Sequence, residues 1–166
     1  MPANKEMLKI AKDVGFSETA FLHKYNDGWR VRYFAPEIEV PFCGHATIAT
    51  GYVLGEQNGE GTYRLHLNDG SIDVTVEKTA TNTIYVSLNS PPTLSEPAPS
   101  KYVNQVLEAF GLTSDDINSD FPIYFASAGA KHLIIVLEKH EKLSSMNYDF
   151  EVVRSLMAKQ QLITIN

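Results

Sequence analysis

The sequence predicts an α+β fold divided into two domains, and three observations carry that expectation. First, Tyr63, Leu65 and Leu67 alternate ahead of the turn Asn68-Asp69-Gly70, and Ile72, Val74 and Val76 alternate after it, the pattern of a β-hairpin. Second, Ala46–Gln57 carries almost no charge before Glu56, and Ala46, Ala49 and Gly51 are small, which reads as a buried helix. Third, Asn89–Ser100 holds Pro91, Pro92, Pro97 and Pro99, four of the chain's eight prolines. Such a stretch suits neither a helix interior nor a central strand and marks a boundary. The expected domains are therefore 1–90 and 101–166, joined by a proline-rich linker over 91–100.

The elements follow in order. Met7, Leu8, Ala11 and Val14 recur at helical spacing, which predicts a helix over Asn4–Val14 with Asn4 as its N-cap and Gly15 just past its end. Phe16–Leu22 reads as extended. After the turn Asn26-Asp27-Gly28, Trp29, Val31 and Tyr33 alternate with Arg30 and Arg32, so these two strands form a second hairpin. Pro36 ends it. Pro41-Phe42-Cys43-Gly44-His45 then turns tightly into the small-residue helix, in which Ile48, Tyr52 and Leu54 are the large apolar residues. Beyond the 61–78 hairpin a strand is expected over Thr83–Leu88. Past the linker, Ser100 caps a helix over Lys101–Phe110 that Gly111 stops. Strands are expected over Ile123–Ser127 and Leu133–Leu137, and a helix over Asp149–Lys159. Leu162–Asn166 reads as a strand start without a later partner. Asp115, Asp116 and Asp120 read as a solvated loop.

Composition bounds the function. The chain has 166 residues, enough for a sizeable apolar core. Its formal net charge of −6 excludes a broad basic footprint for nucleic acid or an anionic membrane. The single cysteine excludes an intrachain disulfide and a multi-cysteine zinc site. No apolar run approaches a membrane span, and Met1–Asp13 has no apolar signal core, so a cytoplasmic location is expected. His23, His66, His132 and His140 are scattered without ligand spacing, and no glycine-rich nucleotide-binding pattern occurs. Neither a metal site nor a cofactor is expected.

Two segments can carry chemistry. In Pro41–Thr47, a glycine-bearing turn feeds a helix N-terminus, where unpaired N–H groups and the helix dipole favour an anion. His45 in the first turn can exchange a proton. Cys43 beside the dipole can acquire a lowered pKa and act as base or nucleophile. A tight turn around a buried, inert cysteine explains the same residues. In Ser17-Glu18-Thr19, Glu18 lies between Phe16 and Phe21. Out of water, such a carboxyl can serve as general acid and base, although a solvated glutamate explains one residue equally well.

Taken together, Ser17-Glu18-Thr19-Ala20-Phe21 and the later run Tyr33-Phe34-Ala35-Pro36-Glu37-Ile38-Glu39-Val40-Pro41-Phe42-Cys43-Gly44-His45-Ala46-Thr47 closely resemble the PhzF-like family of phenazine-biosynthesis-type isomerases. The resemblance implies a diaminopimelate-epimerase-like fold: two pseudo-symmetric domains, each a curved, mostly antiparallel sheet around a central helix, with the active site in the cleft between them. It implies that Glu18 is the acid/base that moves a proton and that His45 assists it. Cys43, Gly44, Ala46 and Thr47 would then face a small anionic, carboxylate-bearing substrate, with no cofactor.

Family members are longer and carry an aspartate–proline turn with Thr-Gly opening a second central helix. No such motif occurs here, so a chain truncated at both ends is expected, with an incomplete second domain. It would associate with itself or with a complementary fragment. Two alternatives stand beside the isomerase. One is a cysteine-based epimerase or racemase using Cys43 with a second base from another chain. The other is a non-catalytic binding or scaffold fragment.

Overall fold

A computed structural model describes residues 1–166. The chain divides into two compact units, Met1–Pro91 and Pro92–Asn166.

The first unit runs α1 (Asn4–Val14), β1 (Thr19–Tyr25), β2 (Gly28–Phe34), β3 (Glu39–Val40), α2 (Gly44–Asn58), β4 (Gly61–His66), β5 (Ser71–Lys78) and β6 (Ile84–Leu88). The strands form one sheet in the order β1-β2-β4-β5-β6, with β3 also paired to β2. All pairings are antiparallel except β2 with β4, where Trp29 stands opposite Leu65. Both expected hairpins are present. Arg32 ties β2 to β3 through its Nε, 2.8 Å from Glu39 Oε1.

Helix α2 lies against β1, β4, β5 and β6, strands at opposite ends of the sheet order. Five strands at about 4.8 Å spacing span roughly 19 Å, more than the ~10–12 Å width of a helix, so the sheet curls around α2. Close approach on one side explains which face of α2 is buried. Ala46, Thr47, Thr50, Gly51, Leu54 and Gly55 face inward, whereas Ile48, Tyr52 and Val53 are exposed. The expectation of a buried helix thus holds for one face only. A Cβ on Gly51 would stand 2.5 Å from Val86 Cγ1 and 2.6 Å from Val74 Cγ1, so no side chain fits at that position unless the valines move. The core beneath holds Val31, Tyr33, Leu65, Val74 and Val76, all essentially inaccessible to water. Each such side chain contributes about 1.5–3 kcal/mol by burial.

At the chain start, Ala3 rather than Asn4 is the N-cap, and Asn4 Oδ1 instead accepts from Arg32, 2.9 Å away. Gly15 closes α1 in the left-handed conformation as expected, its N–H donating to the Ala11 carbonyl. Met7 and Ala11 bury against Phe34 and Phe21.

The second unit runs β7 (Leu94–Pro97), α3 (Ser100–Ala109), a 3-10 turn (Ser114–Asp116), β8 (Tyr124–Ser127), β9 (Lys131–Ile134), α4 (His140–Ser144), α5 (Phe150–Lys159) and β10 (Thr164–Ile165). Its sheet has the order β10-β9-β8-β7. Tyr102, Val106, Phe125, Leu133, Leu156 and Leu162 form its core, and the Tyr102 hydroxyl donates to the Leu156 carbonyl across 3.0 Å.

Three expectations are corrected here. The span 91–100 is not wholly linker, because Leu94–Pro97 pairs antiparallel with β8. Proline is tolerated there because β7 is an end strand with one neighbour. Leu162–Asn166 does find a partner: Thr164 and Ile165 pair parallel with His132 and Leu133. Asp116 is not a solvated loop residue. Its carboxylate accepts from the Thr113 amide and hydroxyl, both at 2.9 Å, and pairs with Lys142 at 3.0 Å.

Candidate active site

The site grows from two local decisions of the chain. Phe16-Ser17-Glu18 leads directly into β1, and strand alternation puts Glu18, Ala20 and Leu22 on one face. On the other side, Cys43 takes an extended conformation as N-cap of α2 (φ −143°, ψ 109°), so His45 sits in the first helical turn. The first intrahelical bond of α2 runs from the Thr47 amide to the Cys43 carbonyl at 3.0 Å. The amides of Gly44, His45 and Ala46 precede it and have no partner within the helix. A side chain at Gly44 would meet no protein atom within 4 Å, so that glycine leaves the approach to the helix end open.

The turn is locked from beneath. The Thr47 hydroxyl donates to the Cys43 carbonyl at 2.7 Å. Its proton is thereby committed, so the Tyr33 hydroxyl on β2 donates to Thr47 Oγ1 at 2.6 Å. Burial drives the Tyr33 pKa up to about 12 and keeps it a donor. Thr47 is fully buried, and its side chain offers a ligand no surface. Thr47 was expected among the substrate-binding residues; its amide and hydroxyl both donate to the Cys43 carbonyl instead, and they hold the Cys43–His45 turn in register.

Between β1 and α2 lies a pocket of about 460 Å³ lined by Phe16, Ser17, Glu18, Leu22, His45 and Val53, among others. Glu18 is 20% exposed and His45 is 70% exposed, with Glu18 Oε2 3.1 Å from His45 Nε2. That separation suits an ion pair once the imidazole is protonated. The angle misses hydrogen-bond geometry, so Glu18 Oε2, itself out of contact with solvent, accepts no hydrogen bond. Ser17 Oγ lies 3.5 Å from His45 Nε2. Ser17 was not singled out from the sequence, although it directly precedes Glu18. The apolar wall of Phe16, Leu22 and Val53 was missed as well, because nothing in the sequence reports that β1 and α2 stand side by side.

Cys43 departs from expectation. Burial pushes its thiol above the ordinary value and the nearby Glu18 carboxylate adds to the effect, while the amides of Ala46 and His45 pull the other way without prevailing. The helix N-terminus thus does not produce a reactive thiolate. The spacing of the sequence predicted no metal-ligand set. The fold nonetheless gathers Glu18, Cys43 and His45 so that one ligand-type atom of each lies within 4.8 Å of the others. No helix is long and apolar enough to cross a membrane.

The chain resembles known proteins along nearly its whole length. The chain is 33% identical over 158 residues to the uncharacterized isomerase YddE of Escherichia coli K12, covering 93% of this chain and 53% of that protein. It is 29% identical over 153 residues to trans-2,3-dihydro-3-hydroxyanthranilate isomerase of Pseudomonas aeruginosa, covering 89% and 51%. It superposes on the solved structure of a predicted epimerase from Pseudomonas aeruginosa with a TM-score of 0.79 at 20% identity, over 98% of this chain and 58% of that one. The chain thus spans about half the length of the curated relatives it matches. Its fold is of the diaminopimelate-epimerase-like class. The sequence profile of the phenazine biosynthesis-like proteins, PhzC-PhzF, matches residues 3–166, and the chain belongs to that family.

Proposed function

We propose that this chain supplies the acid/base half of a cofactor-independent isomerase acting on a small carboxylate-bearing substrate, with Glu18 as the proton carrier. The observation that carries the reading is the Glu18–His45 pair in the pocket, 3.1 Å apart, with one carboxylate oxygen shielded from water and accepting no hydrogen bond. An oxygen in that state is free to accept a proton from carbon. In the reaction, the Glu18 carboxylate takes a proton from a substrate C–H and the electron pair shifts along the substrate. The Glu18 carboxylic acid then returns the proton at another carbon, leaving an isomer and the original carboxylate. His45 stabilises the carboxylate between turnovers. The amides at the start of α2, which no carbonyl of the helix satisfies, hold the substrate's anionic group. The apolar wall of the pocket takes the carbon skeleton.

The cysteine-based alternative is disfavoured by the raised thiol pKa of Cys43 and by its burial. The relatives include trans-2,3-dihydro-3-hydroxyanthranilate isomerase, and its namesake compound is the first substrate to try. The expected result is solvent-deuterium incorporation into product, reduced roughly 10²–10⁴-fold by Glu18→Gln, the range for loss of a general acid/base. Turnover that survives Glu18→Gln and disappears in Cys43→Ser would overturn the assignment and restore the cysteine reading.

A further inference from the structure

Glu18, Cys43 and His45 combine a carboxylate, a thiol and an imidazole, the donor types that bind zinc. Bonds of about 2.3 Å to sulfur and about 2.0–2.2 Å to nitrogen and oxygen set neighbouring donors of a tetrahedral site about 3.3–3.7 Å apart. Here Cys43 Sγ stands 3.5 Å from His45 Nδ1 and 3.7 Å from Nε2, and Nε2 stands 3.1 Å from Glu18 Oε2. These separations fall within a few tenths of an ångström of that spacing. The three donor atoms lie within 4.8 Å of one another, and a turn of the exposed His45 ring aims one nitrogen between the other two donors. Glu18 Oε2 is shielded from solvent and accepts no hydrogen bond, its neighbour being the His45 ring nitrogen 3.1 Å away, so a cation between the two would satisfy both. The backbone is already fixed for the task, since the Tyr33–Thr47–Cys43 hydrogen bonds hold the turn that carries two of the three donors.

We propose that Glu18, Cys43 and His45 form a three-ligand site for Zn²⁺, whose fourth position opens into the pocket between β1 and α2. On binding, the Cys43 S–H bond breaks and its proton leaves to solvent. A sulfur lone pair forms the Zn–S bond, with no change of oxidation state. The His45 and Glu18 lone pairs complete the set. Zinc held in this way occupies the carboxylate proposed above as the proton carrier, so it inhibits by excluding substrate. That consequence rests on the isomerase reading, whereas the binding does not.

The test uses the intact chain freed of metal by a chelator. Competition with a chromophoric chelator is expected to give one Zn²⁺ per chain. Co²⁺ in its place is expected to show the near-ultraviolet thiolate-to-cobalt charge-transfer band. Cys43→Ser should abolish the band. Glu18→Gln should weaken Zn²⁺ binding about 100-fold or more, since loss of even an outer-shell partner costs about 10–100-fold. His66→Ala, which removes the separate His66–Asp27 pair, should change neither readout. Circular dichroism confirms that each variant is folded, and either ligand variant suffices by itself. Absence of the cobalt–thiolate band at saturating Co²⁺ overturns the proposal. So does wild-type zinc affinity in folded Cys43→Ser or Glu18→Gln, or loss of binding in His66→Ala. These readouts do not involve turnover, so their failure leaves the proton-carrier assignment standing. Conversely, loss of that assignment in metal-free assays leaves the metal site standing.

Discussion

Cys43 shows how one residue's surroundings can reverse a rule drawn from its position. A thiol at a helix N-terminus is ordinarily acidified. Here burial opposes the charged form, and a carboxylate across the pocket opposes it further. Alkylation of this lone cysteine by iodoacetamide, followed by mass spectrometry in chelator-treated protein, should therefore be slow at pH 7–8. It should accelerate only as the pH passes the ordinary thiol value of 9.0. Because the folded-state pKa is raised, the associated stability is full below that value and is lost as the pH rises through the folded one. Rapid alkylation at neutral pH would contradict the burial argument and revive a cysteine nucleophile. The difference between Glu18 and Thr47 shows what is legible at this scale. The segments around Glu18 and His45 were readable because the residue types are chemically distinctive and locally ordered. The burial of Thr47 was not, because it depends on Tyr33 arriving from a neighbouring strand.

Helix α2 carries the same lesson to the scale of the element. Its position along the sequence was evident from its lack of charge and its small residues. Its orientation was not, since ordinary amphipathic logic buries Ile48 and Tyr52. The helix instead turns Gly51 and Gly55 toward the strands, because Val74, Val76 and Val86 come too close for a Cβ. Gly51→Ala tests this directly. Replacing a mid-helix glycine with alanine favours a helix by about 1 kcal/mol. Overpacking against stiff β-branched valines costs about 1–3 kcal/mol and should prevail. The expected outcome is a lower denaturation midpoint, and an unchanged or raised midpoint would show that the sheet yields. The 3-10 turn of the second unit provides the pH-dependent case. Hydrogen bonds from the Thr113 amide, then Lys142 and the Thr113 hydroxyl, hold the Asp116 pKa down at about 2 against its ordinary 3.8. A depressed folded-state pKa contributes stability that is full above the unfolded value and lost as the pH falls through the folded one. Asp116→Asn should therefore melt below the wild type at pH 7, and the gap should close as the pH falls from about 4 toward about 2. A constant gap across that range would assign the effect to packing. The sequence showed three aspartates near one another but not the lysine on α4 that pairs with one of them.

At the scale of the whole molecule, the proline-rich stretch announced a division, and along the chain the first compact unit ends at Pro91 and the second begins at Pro92. What the prolines concealed was β7, whose pairing depends on a sheet built from residues about 30 positions later. Every residue lining the candidate pocket lies between Phe16 and Val53, and the strands that wrap α2 end at Leu88, all within the first unit. That unit also holds its own core of Val31, Tyr33, Leu54, Leu65, Val74 and Val76. Domains of about 60 residues are marginal but do fold alone, so a fragment of residues 1–91 exceeds that size. The fragment is therefore expected to unfold in a single cooperative transition. Cys43 reports whether the pocket is formed as well as whether the chain is folded, since its shielding depends on the turn at α2 and on Glu18 across the pocket. In the fragment, its alkylation at pH 8 should be as slow as in the full chain. If the fragment melts cooperatively yet alkylates at the rate of an unfolded thiol, the sheet forms without the pocket, and the site depends on more than the first unit. If it shows no cooperative transition at all, the core of the first unit does not suffice for folding.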